Sequence, residues 1–483
     1  MKLLLRSKSR QHGSVLATGI IITAVIGVTL ASYLLMCQNQ NTSIVRSQVW
    51  NSSITLSEAG VEDGLAMINK FNANFDALPN WTNPASLSAD NFTALGNNTY
   101  TVKRFVGNNS YTVFVTNKPP FISPDVTAIG TFVWSHTYAA NSSPGYFATV
   151  GGVNVSPENQ GTTRLVRKIE VRTRIDPVFN MAMAAVSTID LKGNTINTDS
   201  FDSSNPLYST NGLYPAGVPS KILAHGDVVS DGTIVDTISG GNAKIKGNIK
   251  TGPSGTVNIG PNGSVGDKTW VESGTLGIQP GAFADDMNVA FPIPVLPTDT
   301  SWTGIPTTET IGGVLYDKVL ADGDYWLSQI GGTGAHKIYV KGHARLWVTT
   351  SISMSGSDVI RIAPTNAGLK LYMGGSIAKF GGLGVANESG QAASFIYFGL
   401  ASNTSLELGG NSAFAGVIYA PGATFKLSGG GSGVTDFVGS SITKTVVMNG
   451  GFNFHYDEAL KNLPIGRGFI PVNWKETTVT ANP

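Results

Sequence analysis

One short segment near the C-terminus concentrates the residue types that could do chemistry. Residues 450–460 read GGFNFHYDEAL and place His455, Tyr456, Asp457 and Glu458 side by side, in a chain in which only 13% of residues are charged. A histidine beside carboxylates could act as a general acid or base. No nucleophile or third polar group follows at a recognisable spacing, so the segment does not by itself define a catalytic site.

Strand alternation gives the same segment a structural interpretation. Residues 452, 454 and 456 would face one way, and residues 453, 455 and 457 the other. Asp457 is well placed as the N-cap of a short helix with Glu458 in its first turn. We therefore expect His455, Asp457 and Glu458 to form a terminal cap over the open edge of a β ladder. An outward-facing hydrogen-bonded pair of His455 and Asp457 is the alternative.

Other polar residues raise the possibility of a glycan-cleaving enzyme, which would need paired carboxylates or a carboxylate-bound metal. The candidates are His225, Asp227, Asp231, His343 and Arg345. They lie near glycines at expected turns, where aspartate more often shapes the turn. No phosphate-binding loop or metalloprotease motif is present. We expect no enzymatic activity, no catalytic residue, no cofactor and no metal.

Aromatic residues that recur through the C-terminal half could stack on sugar rings: Tyr325, Trp326, Tyr339, Trp347, Tyr372, Tyr397 and Tyr419. Core positions are the preferred interpretation, because rows of exposed aromatic residues are uncommon.

Composition limits the remaining classes. The net charge is +1, which provides no general attraction for nucleic acid, so that partner is not expected. Glycine accounts for 58 of 483 residues, which favours extended β structure with many tight corners. Because Cys37 is the single cysteine, the chain can form neither an intrachain disulfide nor a cysteine-based zinc site.

The N-terminal region predicts a membrane anchor. A basic leader, residues 1–13, precedes Ser14–Met36, which contains no charged residue. As a helix this run rises by about 35 Å, enough to cross a bilayer. The basic flank predicts a single-pass protein with a cytoplasmic N-terminus and with everything after Cys37 on the other side of the membrane. A lipoprotein signal at Cys37 is disfavoured, because Met36 stands where such signals carry glycine or alanine.

The helical pattern continues beyond the membrane. The apolar residues Trp50, Ile54, Val61, Leu65 and Ile68 share one face of a helix that reaches about Lys70. Gly60 and Gly64 are expected to weaken this helix locally.

The rest of the chain reads as β structure. Residues 100–105 and 111–115 predict a hairpin, and residues 165–175 predict a half-buried antiparallel strand whose charged residues face solvent. After Phe179, short strands interrupted by glycine, asparagine or aspartate favour a parallel β coil. The fold class is therefore mainly β: an N-terminal helix, a small antiparallel β domain, and a glycine-rich parallel β-helix-like domain with a short C-terminal capping helix.

These patterns divide the chain into seven expected parts: leader 1–13, membrane and extended helix 14–72, antiparallel β domain 73–178, first β-coil segment 179–290, proline-rich connector 291–312, C-terminal β-helix domain 313–463 and tail 464–483.

Two stretches of the N-terminal region carry a family resemblance. Gln11-His-Gly13 before a small residue and a long apolar run, followed by Leu56-Ser-Glu-Ala-Gly-Val-Glu-Asp-Gly-Leu65, resembles PilX-type minor pilins and type IV pilus assembly proteins. The resemblance implies that a prepilin peptidase cuts between Gly13 and Ser14. Major pilins carry glutamate where this chain has Thr18, which fits a minor component better than a fibre-forming subunit.

A second resemblance covers about residues 315–462. Residues 414–429, 437–442 and 455–460 are similar to a β-helix-like domain of unknown function that often follows PilX-like N-termini in bacterial envelope proteins. Together the resemblances imply a pilin-like protein that is anchored in the bacterial inner membrane, has its C-terminal region in the periplasm or at the cell surface, and takes part in type IV pilus or pseudopilus assembly, adhesion or surface architecture. Its implied partners are the prepilin peptidase and other pilins, with a surface glycan as a further partner. The alternatives are a glycan-binding or glycan-cleaving β-helix protein and a self-associating β-helix scaffold.

Overall fold

A computed structural model describes residues 13–70, 87, 90–117, 123–135, 162–192, 195–298, 301–305, 308–410, 413–429 and 435–477. The chain is mainly β and forms two compact units. The first comprises Met1–Lys70, Trp81–Arg174 and Phe469–Pro483, and the second comprises Phe71–Asn80 and Ile175–Gly468. The expected basic leader lies outside the described residues except for Gly13.

Two α-helices, three 3-10 helices and the strands β1 to β32 make up these units within the described residues. The helices are α1 Gly13–Asn69 and α2 Lys268–Glu272, with 3-10 turns at Pro219–Lys221, Ala392–Ser394 and Glu458–Asn462. The first fifteen strands are β1 Thr93–Gly96, β2 Thr99–Val106, β3 Asn109–Thr116, β4 Asp125–Ser135, β5 Thr162–Pro177, β6 Met183–Asp190, β7 Thr195–Phe201, β8 Val228–Ser230, β9 Ile238–Gly241, β10 Lys244–Lys246, β11 Ile249–Lys250, β12 Val257–Ile259, β13 Ser264–Gly266, β14 Gly277–Ile278 and β15 Phe283–Ala284. The others are β16 Thr303–Gly304, β17 Glu309–Ile311, β18 Val314–Tyr316, β19 Lys318–Leu320, β20 Gly323–Gly331, β21 Lys337–Val340, β22 His343–Ser353, β23 Val359–Ile362, β24 Gly368–Met373, β25 Ile377–Phe380, β26 Gly384–Asn387, β27 Phe395–Gly399, β28 Ser405–Gly410, β29 Phe414–Gly429, β30 Thr435–Asn449, β31 Gly451–Asp457 and β32 Gly466–Thr477.

The antiparallel sheet has the strand order β1-β2-β3-β4-β5-β32. The expected hairpin is confirmed as β2 and β3, which pair from Thr99↔Thr116 to Val106↔Asn109. Within the expected tail over 464–483, Gly466–Thr477 form β32, which takes an edge position in this sheet. Residues 471–476 of this strand are exposed on both faces, so no hydrophobic alternation marks it in the sequence.

Strand β5 has the two faces that its alternation predicts. Ile169 and Val171 are buried, whereas Arg172 and Arg174 are exposed. Arg167 is the exception among its basic residues, because it lies on the buried face and is only 5% exposed.

The glycine-rich segments form the expected parallel β coil, which is built from two arms. The N-terminal arm holds β6 to β15, and the C-terminal arm holds β16 to β31. Strands β6 and β7 of the N-terminal arm pair in parallel with β30 and β31 of the C-terminal arm. We call this junction the seam. The first strand of the coil along the chain, β6, therefore lies in the interior of the coil. It pairs with β30, which follows more than two hundred residues later.

The segments 179–290 and 313–463 contribute to the same core. A single hydrophobic core runs from Val178 to Ile465 and includes both arms. Local patterns reveal individual rungs, but pairing between β6 and β30 depends on residues that are distant in sequence.

The proline-rich connector lies along the coil in extended form. Between β15 and β16, the described residues 285–298 form no strand. The side chains of Val289, Phe291 and Leu296 pack against the core, and Tyr419 donates its hydroxyl hydrogen to Pro292 O at 2.7 Å. Proline cannot donate to a ladder, which explains why this stretch covers the coil instead of adding a rung to it.

Candidate functional site

The first candidate site is the N-terminal part of α1. Nearly all side chains from Val15 to Met36 are exposed, including Ile21 and Ile22 at 63% and 53%. Among the described residues, α1 is the one helix that is long and apolar enough to cross a membrane. An uncovered apolar surface of this length suits a hydrocarbon environment.

The last third of α1 packs on the antiparallel sheet through small residues. Ser53, Ser57, Gly60 and Gly64 are buried, whereas Trp50 is 50% exposed. The predicted apolar face is therefore correct for Val61, Leu65 and Ile68 but wrong for Trp50. The sequence prediction relied on large apolar residues, whereas the contact between α1 and the sheet depends on small residues.

The two glycines permit this close approach. A Cβ atom on Gly60 would lie 2.9 Å from Ala128 Cβ, and one on Gly64 would lie 2.6 Å from Val126 Cγ1. Real Cβ atoms do not come that close to another carbon atom, because interiors are packed at van der Waals contact. Gly60 and Gly64 lower the intrinsic helix propensity, as predicted, but they also let α1 lie directly on β4.

Hydrogen bonds fix the same contact. Ser57 Oγ accepts the backbone N–H of Gly130 at 3.0 Å and lies 3.0 Å from Arg167 O, to which it can donate its hydroxyl hydrogen. Ser53 Oγ lies 3.3 Å from both Gly130 O and Leu165 O and can donate its hydroxyl hydrogen to either of them. Buried polar side chains are satisfied in this way by the sheet backbone. The contact between helix and sheet is thus specific in register as well as apolar.

Arg167 completes this joint. Its guanidinium carbon lies 3.3 Å from the centre of the Trp50 ring, and the guanidinium forms an ion pair with Glu476. A guanidinium stacked on an indole is a favourable cation–π contact. The sequence pattern assigned Arg167 to the solvated face of β5, but the ring of Trp50 covers it, so Arg167 is only 5% exposed while Trp50 itself is half exposed.

The second candidate site is the segment GGFNFHYDEAL at the seam. Residues 451–457 form β31, which is paired on both sides, with β30 and with β7. Strand β31 therefore lies inside the sheet and is not its last rung. His455 and Asp457 are 5% and 3% exposed, so the alternative of an outward-facing pair is wrong.

His455 lies between two carboxylates from different parts of the chain. Its Nδ1 is 2.6 Å from Asp199 Oδ1 of β7, and its Nε2 is 3.6 Å from Asp436 Oδ1 of β30. The Tyr214 ring stacks on the imidazole with 3.5 Å between ring centres, and its hydroxyl donates to Asp199 Oδ2 at 3.0 Å. Burial acts to lower the pKa of His455, but the hydrogen bonds to Asp199 and Asp436 outweigh it and raise the pKa.

Asp457 and Glu458 bind the start of the N-terminal arm. Asp457 Oδ1 accepts the N–H of Ala459 at 3.1 Å, as the N-cap of the 3-10 helix Glu458–Asn462, and it accepts the N–H of Ser203 at 3.0 Å. Glu458 Oε1 accepts the Ser200 hydroxyl at 2.9 Å and lies 2.7 Å from His225 Nδ1. The hydrogen bond to Glu458 raises the pKa of His225.

The other candidates for glycan chemistry have separate structural partners. Asp227 Oδ1 accepts the N–H of Asn248 at 2.7 Å, and the N–H of Asp231 donates to Ala185 O at 2.9 Å. The backbone N–H of His343 donates to Asp322 Oδ1 at 2.7 Å, and Arg345 pairs with Asp324 at 2.5 Å. His225 lies near Asp227, but the five residues do not form a common site.

The aromatic residues divide into two groups. Tyr372, Tyr397 and Tyr419 are at most 1% exposed and belong to the core. Tyr325, Tyr339 and Trp347 are half-buried, and Trp326 is 44% exposed. The expectation of core packing is therefore correct for the first group, and a row of exposed rings is not formed.

Within the described residues, no group of three or more histidine, cysteine, aspartate or glutamate side chains could hold a metal ion. Sequence reasoning missed Asp199, Tyr214 and Asp436, the partners of His455. In the sequence, Asp199 lies between threonine and serine, and Asp436 lies between threonine and phenylalanine. Both therefore look like ordinary turn or edge residues. The parallel pairing of β31 with β7 on one side and with β30 on the other brings the two carboxylates to His455.

Comparison with known proteins adds one family domain and one distant structure. The family model described as a domain of unknown function, DUF7305, matches residues 307–463. No curated protein matches the sequence. The solved structure of the competence-associated pilin ComZ from Thermus thermophilus is similar over 88% of this chain and 96% of its own, with 11% identity and a TM-score of 0.29. At this TM-score the likeness carries no argument about fold or function.

Proposed function

We propose that this chain is a membrane-anchored, pilin-like bacterial envelope protein that works without catalysis in type IV pilus or pseudopilus assembly, adhesion or surface architecture. One observation carries the proposal: α1 runs without interruption from an uncovered apolar segment to a face that fits the antiparallel sheet. Such a helix can be held by a membrane at one end and by a folded domain at the other.

The resemblance of the first seventy residues to PilX-type proteins supports the finer part of the proposal. A prepilin peptidase would cut between Gly13 and Ser14, and other pilins or pilus assembly proteins would contact the exposed part of α1. The N-terminus would be cytoplasmic and the β units would lie in the periplasm or at the cell surface.

The alternatives receive less support. The candidate catalytic residues act as backbone and ion-pair partners, and the aromatic residues are largely buried. The outer strands β12, β14 and β16 are two or three residues long. Very short edge strands are a feature by which proteins avoid edge-to-edge association, which disfavours a polymer that grows through the ends of the coil.

Membrane fractionation tests the anchoring. The full chain should resist extraction by alkaline carbonate when it is expressed in bacteria. A double variant, Ile21→Arg and Ile22→Arg, should lose membrane insertion, because each arginine at the centre of a membrane helix costs about 3 kcal/mol. Ile44→Arg is the matched control, since Ile44 is 56% exposed on the same helix outside the apolar run. Extraction of the unmodified chain by carbonate would refute the anchor.

A further inference from the structure

The seam joins the two arms of the coil, and several of its polar contacts are made by ionisable side chains. Parallel pairing links β31 to β7 from Gly451↔Thr195 to Asp457↔Phe201. Three contacts at this junction join an ionisable side chain of one arm to the other arm. These are His455 with Asp199, His225 with Glu458, and Asp457 with the backbone of Ser203.

We propose that the seam is a pH-sensitive latch, which holds the two arms together most tightly under mildly acidic conditions and loosens locally as the pH rises.

The geometry around His455 supports this proposal. The groups that face its imidazole are Asp199 from β7, Asp436 from β30 and the ring of Tyr214. The protonated imidazole donates from Nδ1 to Asp199 at 2.6 Å and carries its positive charge between the two carboxylates, with Nε2 3.6 Å from Asp436. Loss of the proton would therefore leave the Asp199 carboxylate, whose side chain is 8% exposed, without a positive charge beside it. Unpaired charges are costly in such a place.

Protonated His225 also stabilises the seam, at a position that is open to solvent. The charged groups that face it are Glu458 and Lys461 from the 3-10 helix and Asp227 from its own segment. Its side chain is 62% exposed, so its contribution is smaller than that of His455 because water screens the pair.

The linkage has a definite sign. The pKa values of His455 and His225 are raised, so their stabilising contribution is complete below about pH 6.5, the unfolded value, and is lost as the pH rises through the raised values. Burial also raises the pKa values of Asp457 and Asp227. Their ionisation at higher pH therefore weakens the folded seam too. The two histidines set the sign of the effect between pH 6 and pH 9.

Hydrogen exchange of the full chain, read by mass spectrometry, tests the latch. Protection in peptides covering 195–226 and 451–462 is compared with protection in a peptide covering 343–353, which corrects for the intrinsic pH dependence of exchange. Between pH 6 and pH 9 the seam peptides should lose protection relative to the reference, by at most about tenfold per pH unit for each proton released.

Variants separate the latch from general loss of stability. His455→Gln should lower seam protection at pH 6 and remove most of its pH dependence, and His225→Gln should have a smaller effect in the same direction. His336→Gln is the control, since His336 pairs with Asp358 away from the seam, and it should leave the seam peptides unchanged. The proposal is overturned if the ratio of seam to reference protection is the same at pH 6 and pH 9, or if His455→Gln retains the full pH dependence.

Discussion

The backbone N–H of Gly130 in β4 donates to Ser57 Oγ in α1 at 3.0 Å, inside a contact from which water is excluded. The bond joins the helix that carries the apolar segment to the sheet that receives it. It also requires that both residues be small, because a Cβ on Gly130 would lie 2.7 Å from Ser57 N. The attachment of the anchor to the β domain is thus encoded in serine and glycine.

Loss of this hydrogen bond should destabilise the first unit. Ser57→Ala leaves the buried N–H of Gly130 without its acceptor, and we expect a loss of about 1 to 3 kcal/mol in the free energy of unfolding. Urea denaturation of the full chain in detergent measures it. Thr55→Ala removes an exposed hydroxyl that bonds within the helix and should change stability by less than about 0.5 kcal/mol. Equal effects of the two variants would contradict the assigned role of Ser57.

A methyl group at Gly64 should separate the helix from the sheet. Gly64→Ala improves intrinsic helix propensity by about 1 kcal/mol, yet it places a carbon within 2.6 Å of Val126 Cγ1. Overpacking costs about 1 to 3 kcal/mol, so we expect net destabilisation in the same denaturation experiment. Gly27→Ala, which has nothing within 4 Å of the new carbon, should not destabilise. A stabilising Gly64→Ala would show that the packing is looser than described.

The N-cap at Asp457 should contribute to the stability of the coil. Asp457→Ala removes the acceptor for both Ala459 and Ser203, and a loss of about 1 to 3 kcal/mol is expected. Asp457→Asn keeps an oxygen acceptor and should restore most of the loss. Thermal unfolding followed by circular dichroism compares the three proteins. An unchanged melting temperature for Asp457→Ala would reject this role.

The acidic side of the stability profile should depend on Glu458. Burial acts to raise the pKa of Glu458, but the hydrogen bond and charge of His225, the Ser200 hydroxyl and the charge of Lys461 together outweigh it and lower the pKa. Its contribution is therefore present above the unfolded value and is lost as the pH falls through the lowered folded value. Glu458→Gln should reduce stability at pH 6 by about 1 kcal/mol and flatten the decline below about pH 4.3, the unfolded value.

Glu272→Gln serves as the control for this measurement. Glu272 pairs with Lys246 at 3.2 Å and its side chain is 43% exposed. Its replacement should leave the acidic limb of the unfolding profile as steep as in the unmodified chain. A Glu458→Gln profile that runs parallel to the unmodified one would contradict the role given to Glu458.

Particular residues show why some features could be predicted from the sequence and others could not. The helix to residue 69, the β2–β3 hairpin and the alternation of β5 follow from local periodicity, which a single segment contains. The alternation of residues 452–457 was also visible, but both of its faces are buried, because segments from the N-terminal arm cover His455. That environment depends on β7 and β31 pairing across more than two hundred and fifty residues.

Small residues explain the other misses. Gly60 and Gly64 looked like weak points of a helix, since sequence propensity reports the isolated helix. Their role depends on Ala128 and Val126 of another element.

Strand β32 was missed for a different reason. An edge strand with two exposed faces carries no alternating pattern, and its pairing with β5 is what places it in the sheet.

The mature N-terminus is the most direct test of the pilin-like function. N-terminal sequencing by mass spectrometry is applied to the full chain from cells with and without an active prepilin peptidase. The account predicts Ser14 as the first residue only in cells that have the peptidase. It further predicts that Gly13→Leu prevents the cut, whereas Gly19→Leu, at a position with open space around it, permits it. An intact Met1 in the presence of the peptidase would contradict the account.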